Sequence, residues 1–100
     1  MPKEPNKLRP AIVVEAAGLF GPNYPNVILV PLADDPGLAI PGVSLLIEPT
    51  PANGCTKRCY ALSHCVAATS VRRLTGTRSH VESEQLREIR RQIAFAMGIE

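Results

Sequence analysis

All ten prolines of this chain fall in residues 1–51 and none follows. A proline removes a backbone donor and breaks helix interiors, so the first half must be short strands and turns rather than long helices. Three apolar runs stand between turn signals there. Ala11 to Glu15 (AIVVE) directly follows Arg9-Pro10; Val27 to Leu32 (VILVPL) lies between Tyr24-Pro25-Asn26 and Asp34-Asp35-Pro36-Gly37; Val43 to Glu48 (VSLLIE) closes on Pro49-Thr50-Pro51-Ala52-Asn53-Gly54. Each reads as a strand. Pro31 cannot donate to a ladder and is expected at a strand end or bulge. Cys59 to His64 and Val66 to Val71 are weaker strand candidates. Runs apolar on both faces suit a sheet covered on both sides or curled into a small barrel.

The proline-free part carries a helix, expected over about residues 82–97. Ser79-x-x-Glu82 has capping-box spacing. Leu86, Ile89, Ile93 and Ala96 or Met97 recur at the helical period as one apolar stripe, and Gly98 stands where a left-handed C-terminal residue is expected. Glu84–Arg87 and Glu88–Arg91 are i,i+3 pairs. The expected fold is therefore mainly β with a C-terminal α-helix (α+β): a small curled antiparallel sheet or SH3-like barrel with the helix on one face, in a single domain spanning residues 1–100.

Size and composition exclude several classes. One hundred residues allow one domain, and 45% hydrophobic with 20% charged residues is globular rather than disordered. No apolar run approaches the roughly 20 residues that cross a bilayer. The N-terminal apolar stretch is broken by Glu15 and has no signal-peptide layout. A soluble, cytoplasmic protein without membrane contact is expected. Four aromatics (Phe20, Tyr24, Tyr60, Phe95) are too few for a base-stacking platform.

Charge is uneven. Residues 1–56 hold three bases and five acids, net −2; residues 57–91 hold eight bases and three acids, net +5. Seven of those eight bases are arginine, whose planar fork suits phosphate. A basic half on a nearly neutral chain points to an anionic partner or to a salt-bridged surface.

Cys55, Cys59, His64 and Cys65 crowd into eleven residues. Their C-x3-C-x4-H-C spacing has no CxxC knuckle, and adjacent His64 and Cys65 would face opposite ways on a strand, so no metal or other cofactor is expected. Buried small hydrophobes and one exposed thiol fit better. There is no GxxxxGK or GxGxxG loop, no legible Ser/His/Asp triad, and no Asp or Glu between Glu48 and Glu82. Carboxylate-pair chemistry is poorly supported, whereas arginine is plentiful. Chemistry run on arginine is mostly chemistry at phosphates, where a fixed cation stabilises charge growing on oxygen.

The order of four features resembles the MazF/PemK family of toxin–antitoxin toxins: Arg9-Pro10 followed by AIVV; VILVPL at residues 27–32; Pro49 to Gly54 feeding Lys57; and Thr69-Ser70-Val71-Arg72-Arg73-Leu74 before a helix ending Met97-Gly98-Ile99. The resemblance implies a two-fold homodimer that cleaves single-stranded RNA at a short sequence without a metal. In that chemistry a 2′-hydroxyl attacks the adjacent phosphorus. Arg9 falls on the family's catalytic arginine, and Arg72, Arg73, Lys57 and Arg58 would contact the RNA. A cognate antitoxin is implied, with operator DNA bound only through the antitoxin complex.

Two departures accompany the resemblance. Ala33 stands where the family usually places a Thr or Ser that holds the scissile phosphate; losing such a donor costs about 2.7–4 kcal/mol of transition-state stabilisation. The family's first strand, with its Gly-Asp motif, is missing before Arg9, which would expose a sheet edge for another subunit or an antitoxin to cover. A second reading is a gyrase-inhibiting toxin like CcdB that acts by protein binding, suggested by Pro31-Leu32-Ala33 and Gly98-Ile99. That family's terminal Trp-Gly-Ile anchor reads Met97-Gly98-Ile99-Glu100 here. A third is an inactive relic that still binds antitoxin and operator DNA.

Overall fold

The computed structural model describes residues 10–99, so Arg9 lies outside the described residues. Five strands form one antiparallel sheet: β1 (Ala11–Val13), β2 (Asn26–Ala33), β3 (Ser44–Ile47), β4 (Cys59–Leu62) and β5 (Ala67–Ser70), followed by the helix α1 (Ser83–Ala96). The long strand β2 organises the sheet. One edge carries β1, with Ile12 opposite Val30. The other carries β5 beside its first half and β4 beside its end. β3 then pairs with β4. The sheet curls but does not close, and among the described residues no strand covers the outer edge of β1.

β4 and β5 are one chain run broken by a 3-10 turn at Ser63–Cys65. Between the pairs Leu29↔Ala67 and Leu32↔Ala61, β2 advances three residues while its partner advances six. The extra three are absorbed in that turn, which bends the sheet. Pro31 explains why the break sits there. Leu32 N–H points to the β1 edge, donating to Pro10 O at 3.0 Å, so the adjacent Pro31 nitrogen faces the opposite edge. That edge is the stretch where the partner strand is interrupted, and the missing donor costs no ladder bond.

Period-2 alternation assigns one face of the sheet to the core. Ile12, Val14, Val30, Ile47, Cys59 and Ala61 are buried together, and Ile89 of α1 closes over them. Leu86 and Ile93 pack half-buried against the cluster, while Met97 is 65% exposed. The expected apolar stripe therefore ends before the last turn. Gln92 occupies the neighbouring buried position. Its Oε1 accepts from Ser63 Oγ at 2.7 Å and its Nε2 donates to Ser44 O at 3.0 Å, tying helix, turn and β3 together. Arg90 fixes the other side of α1: Nε donates to Val14 O at 2.9 Å and an Nη to Glu15 O at 3.0 Å.

The helix start differs from the expected capping box. Glu82 is the N-cap, and Gln85 Oε1 accepts its backbone N–H at 2.9 Å. Ser79 lies three residues outside because His80 N–H is already bound to Ala52 O at 2.9 Å, which pins the preceding segment to the 49–54 turn. Gly98 is left-handed (φ +75) as expected, with Ile99 N–H reaching back to Ala94 O at 2.9 Å. Of the two helical ion pairs expected, Glu88–Arg91 forms, with two bonds of 2.8 and 2.7 Å. No described helix is long and apolar enough to cross a membrane.

Candidate functional site

Three segments converge where β2 ends: the start of β1 at Pro10, the end of β2 at Leu32 and Ala33, and the start of β4 at Cys59 and Tyr60. Ala33 is half-buried and pairs with Tyr60, which pairs in turn with Leu46. These three side chains form a row on the sheet face opposite the core. Tyr60 and Leu46 line one wall of a groove of about 240 Å³ whose far side is Ala39, Ile40 and Pro41. Tyr60 was not legible as a site residue, since nothing but the β2–β4 register brings it to Ala33.

The same register pairs charges. Asp34 follows β2 and Lys57 precedes β4, so antiparallel pairing brings the ammonium onto Asp34 Oδ2. The hydrogen bond from Lys57, and then its charge, hold the Asp34 carboxyl below the usual carboxylate value, while Asp34 raises Lys57 in the same way. Arg58 Nε meets Glu48 Oε1 at 2.9 Å across the β3–β4 ends, which lifts its pKa further. Both pairs are exposed and screened, so an incoming phosphate can displace the carboxylates at little cost.

Arg72 and Arg73 lie elsewhere. They form a 3-10 turn directly after β5, in which Arg72 N–H donates to Ser70 Oγ at 3.2 Å and Val71 N–H to Pro25 O at 2.9 Å. Ser70 is opposite Asn26 at the start of β2, so this turn is separated from Ala33 by the whole strand, roughly 23 Å of path at about 3.3 Å per residue. The structure brings Lys57 to Asp34, next to Ala33, draws Arg58 to Glu48 after β3, and holds Arg72 and Arg73 at the opposite end of β2. Among the described residues no ion pair engages Arg72, Arg73 or Arg78, and all three are exposed.

The histidines and cysteines form no catalytic cluster. His64 Nδ1 is 3.4 Å from Val43 O and His80 Nδ1 is 3.4 Å from Arg78 O, both exposed. Among the described residues no three His, Cys, Asp or Glu side chains are placed to hold a metal. Cys55 and Cys59 do meet, Sγ to Sγ at 3.7 Å, while Cys65 is exposed in the turn after β4.

The family model for the "PemK-like, MazF-like toxin of type II toxin-antitoxin system" matches residues 2–97. The chain belongs to this family. Solved structures agree on the fold of this PemK/MazF-family toxin. Mycobacterium tuberculosis toxin MazF-mt6 superposes with a TM-score of 0.75 at 14% identity, covering 92% of this chain and 88% of that one. A second Mycobacterium tuberculosis protein, described as an Mtb toxin, gives a TM-score of 0.68 at 14% identity, covering 88% of this chain and 91% of that one. No curated protein matches it in sequence.

Proposed function

We propose that this PemK/MazF-family toxin is a metal-independent endoribonuclease that cleaves single-stranded RNA at a short sequence, at the strand end built by Pro10, Ala33 and Tyr60. The observation that carries the reading is the family match over residues 2–97. It is supported by the two displaceable cations, Lys57 and Arg58, at that strand end. Arg9 precedes Pro10, whose carbonyl is bound by Leu32 beside Ala33. In the reaction the 2′-oxygen bonds to phosphorus as its proton leaves, and the 5′-oxygen departs and takes up a proton, leaving a cyclic phosphate. The Arg9 guanidinium would stabilise the charge on the non-bridging oxygens. Lys57 and Arg58 would receive flanking phosphates, and Arg72 and Arg73 a more distant part of the strand. A cognate antitoxin, a homodimer, operator DNA held through the antitoxin complex, and a cytoplasmic site of action belong to the same proposal.

The test is a purified protein incubated with single-stranded RNA of defined sequence, with EDTA throughout. Cleavage to cyclic-phosphate ends is expected. Arg9→Ala should abolish it, and Ala33→Thr, which restores a hydroxyl, should raise the rate by tenfold or more, within the 10²–10³ that one such donor supplies elsewhere. Cleavage that survives in Arg9→Ala would overturn the site assignment, and no cleavage by any variant would overturn the activity.

A further inference from the structure

The two thiols that meet at 3.7 Å have no place in that chemistry, and the fold delivers them to each other with some care. Cys59 opens β4 and is fixed by pairing with Ile47, buried in the core cluster. Cys55 reaches it from a loop set by one side chain. Asn53 Oδ1 accepts from Thr50 N–H at 3.0 Å and from Cys55 N–H at 2.9 Å, while its Nδ2 donates to Glu48 O at 2.8 Å. Asn53 thus holds the 48–55 turn in shape and aims Cys55 at β4. The four-residue step between the cysteines contains Lys57 and Arg58, the two cations paired to Asp34 and Glu48.

We propose that Cys55 and Cys59 are a redox-active pair that closes to a reversible intramolecular disulfide, clamping the Lys57–Arg58 loop. The oxidant is a low-molecular-weight disulfide. Half-buried Cys55, as thiolate, attacks one of its sulfurs and expels a small thiolate, giving a mixed disulfide on Cys55. Cys59 then loses its proton to solvent and attacks the Cys55 sulfur, expelling the second small thiol. One disulfide is reduced to two thiols as two cysteines are oxidised to one bridge. Bonding draws the sulfurs from 3.7 Å to about 2.05 Å. The order of attack follows from burial, which with the neighbouring Cys55 pushes the Cys59 thiol up to about 11. Cys59 is therefore the slower, resolving partner. Such a device goes beyond the ribonuclease reading and does not depend on it.

Trypsin supplies a direct readout, because Lys57 and Arg58 lie between the two cysteines. The Cys65→Ser variant, equilibrated with excess oxidised glutathione, is denatured with blocking of remaining thiols, digested, and mapped by mass spectrometry without reductant. The expected result is that the peptide ending at Lys57 and the peptide beginning at Cys59 stay joined until a reductant is added. Titratable thiols should fall from two to none, and amide exchange across residues 56–58 should slow in the oxidised form. Cys55→Ser, which leaves the buried thiol and the fold in place, should abolish the joined peptide. Separate peptides, with glutathione retained on Cys55 or on neither residue, would overturn the proposal. So would a joined peptide with unchanged exchange at 56–58, since the loop would then not be clamped.

Discussion

Replacing Gln92 by Leu should weaken the fold far more than an exposed glutamine substitution would. Gln92 is 4% exposed and Ser63 is 0% exposed, and the two share a 2.7 Å hydrogen bond while Gln92 also donates to Ser44 O at 3.0 Å. Leucine fills much of the volume but satisfies neither group. Two lost bonds account for about 0.5–1.5 kcal/mol each, and a buried Ser63 hydroxyl left without a partner for about 1–3 kcal/mol, offset in part by the apolar surface gained. A net loss of about 2–3 kcal/mol follows, or roughly 10–20 °C in Tm at about 4–8 °C per kcal/mol for a domain this size. Urea unfolding followed by circular dichroism measures it, with an unchanged m-value as the check that both states are comparable. The double variant Ser63→Ala/Gln92→Leu should recover at least 1 kcal/mol of that loss, because removing both partners leaves less unsatisfied. A single variant within 0.5 kcal/mol of the parent on the order expected for surface changes, or a double variant weaker than the single, would refute the reasoning.

Gly54 is left-handed (φ +69), and a Cβ there would run into Ser79 Oγ; Gly54→Ala should therefore cost more than about 1 kcal/mol in the same assay, with Gly54→Ala/Ser79→Gly recovering the steric part alone. The Cys59 thiol, raised by burial from 9.0 to about 11, gives up stability at alkaline pH. The unfolded chain ionises it first, so this contribution is complete below the unfolded value and declines as pH rises from there through the folded one. Cys59→Ala should flatten that alkaline limb in urea titrations across that range. Asp34 moves the other way: its carboxyl is held below 3.8, chiefly by the Lys57 hydrogen bond. Its stabilisation is present above that value and disappears as pH falls through the lowered one. Carboxyl chemical shifts followed against pH should show the Asp34 midpoint rising towards 3.8 in Lys57→Met, and an unmoved midpoint would show that the pair does not persist in solution.

Local chemistry made most of the elements readable. The confinement of proline to residues 1–51 foretold strands and turns, and the period of Leu86, Ile89 and Ile93 foretold a helix within a residue or two of its ends. Pro31, expected at a strand end or bulge, instead lies inside an unbroken β2, and the irregularity is in the partner run, at the Ser63–Cys65 turn that its missing donor faces. The helix starts later than the Ser79 spacing implies, because that spacing is local and takes no account of Ala52. The backbone bond from His80 to that distant turn leaves the capping to Glu82 and Gln85.

What the amino-acid order alone determined was the set of pieces and their apolar faces, because turns, helix periods and strand alternation are decided by neighbours a few residues apart. Only the tertiary structure decided which charges meet and which part company. Lys57 finds Asp34 and Arg58 finds Glu48 because β4 returns beside the ends of β2 and β3. Arg72 and Arg73 are carried to the far end because β5 lies beside the start of β2. The Lys57-Arg58 and Arg72-Arg73 pairs come to opposite ends of β2 through antiparallel register, a property of pairing between strands that no single stretch of sequence carries.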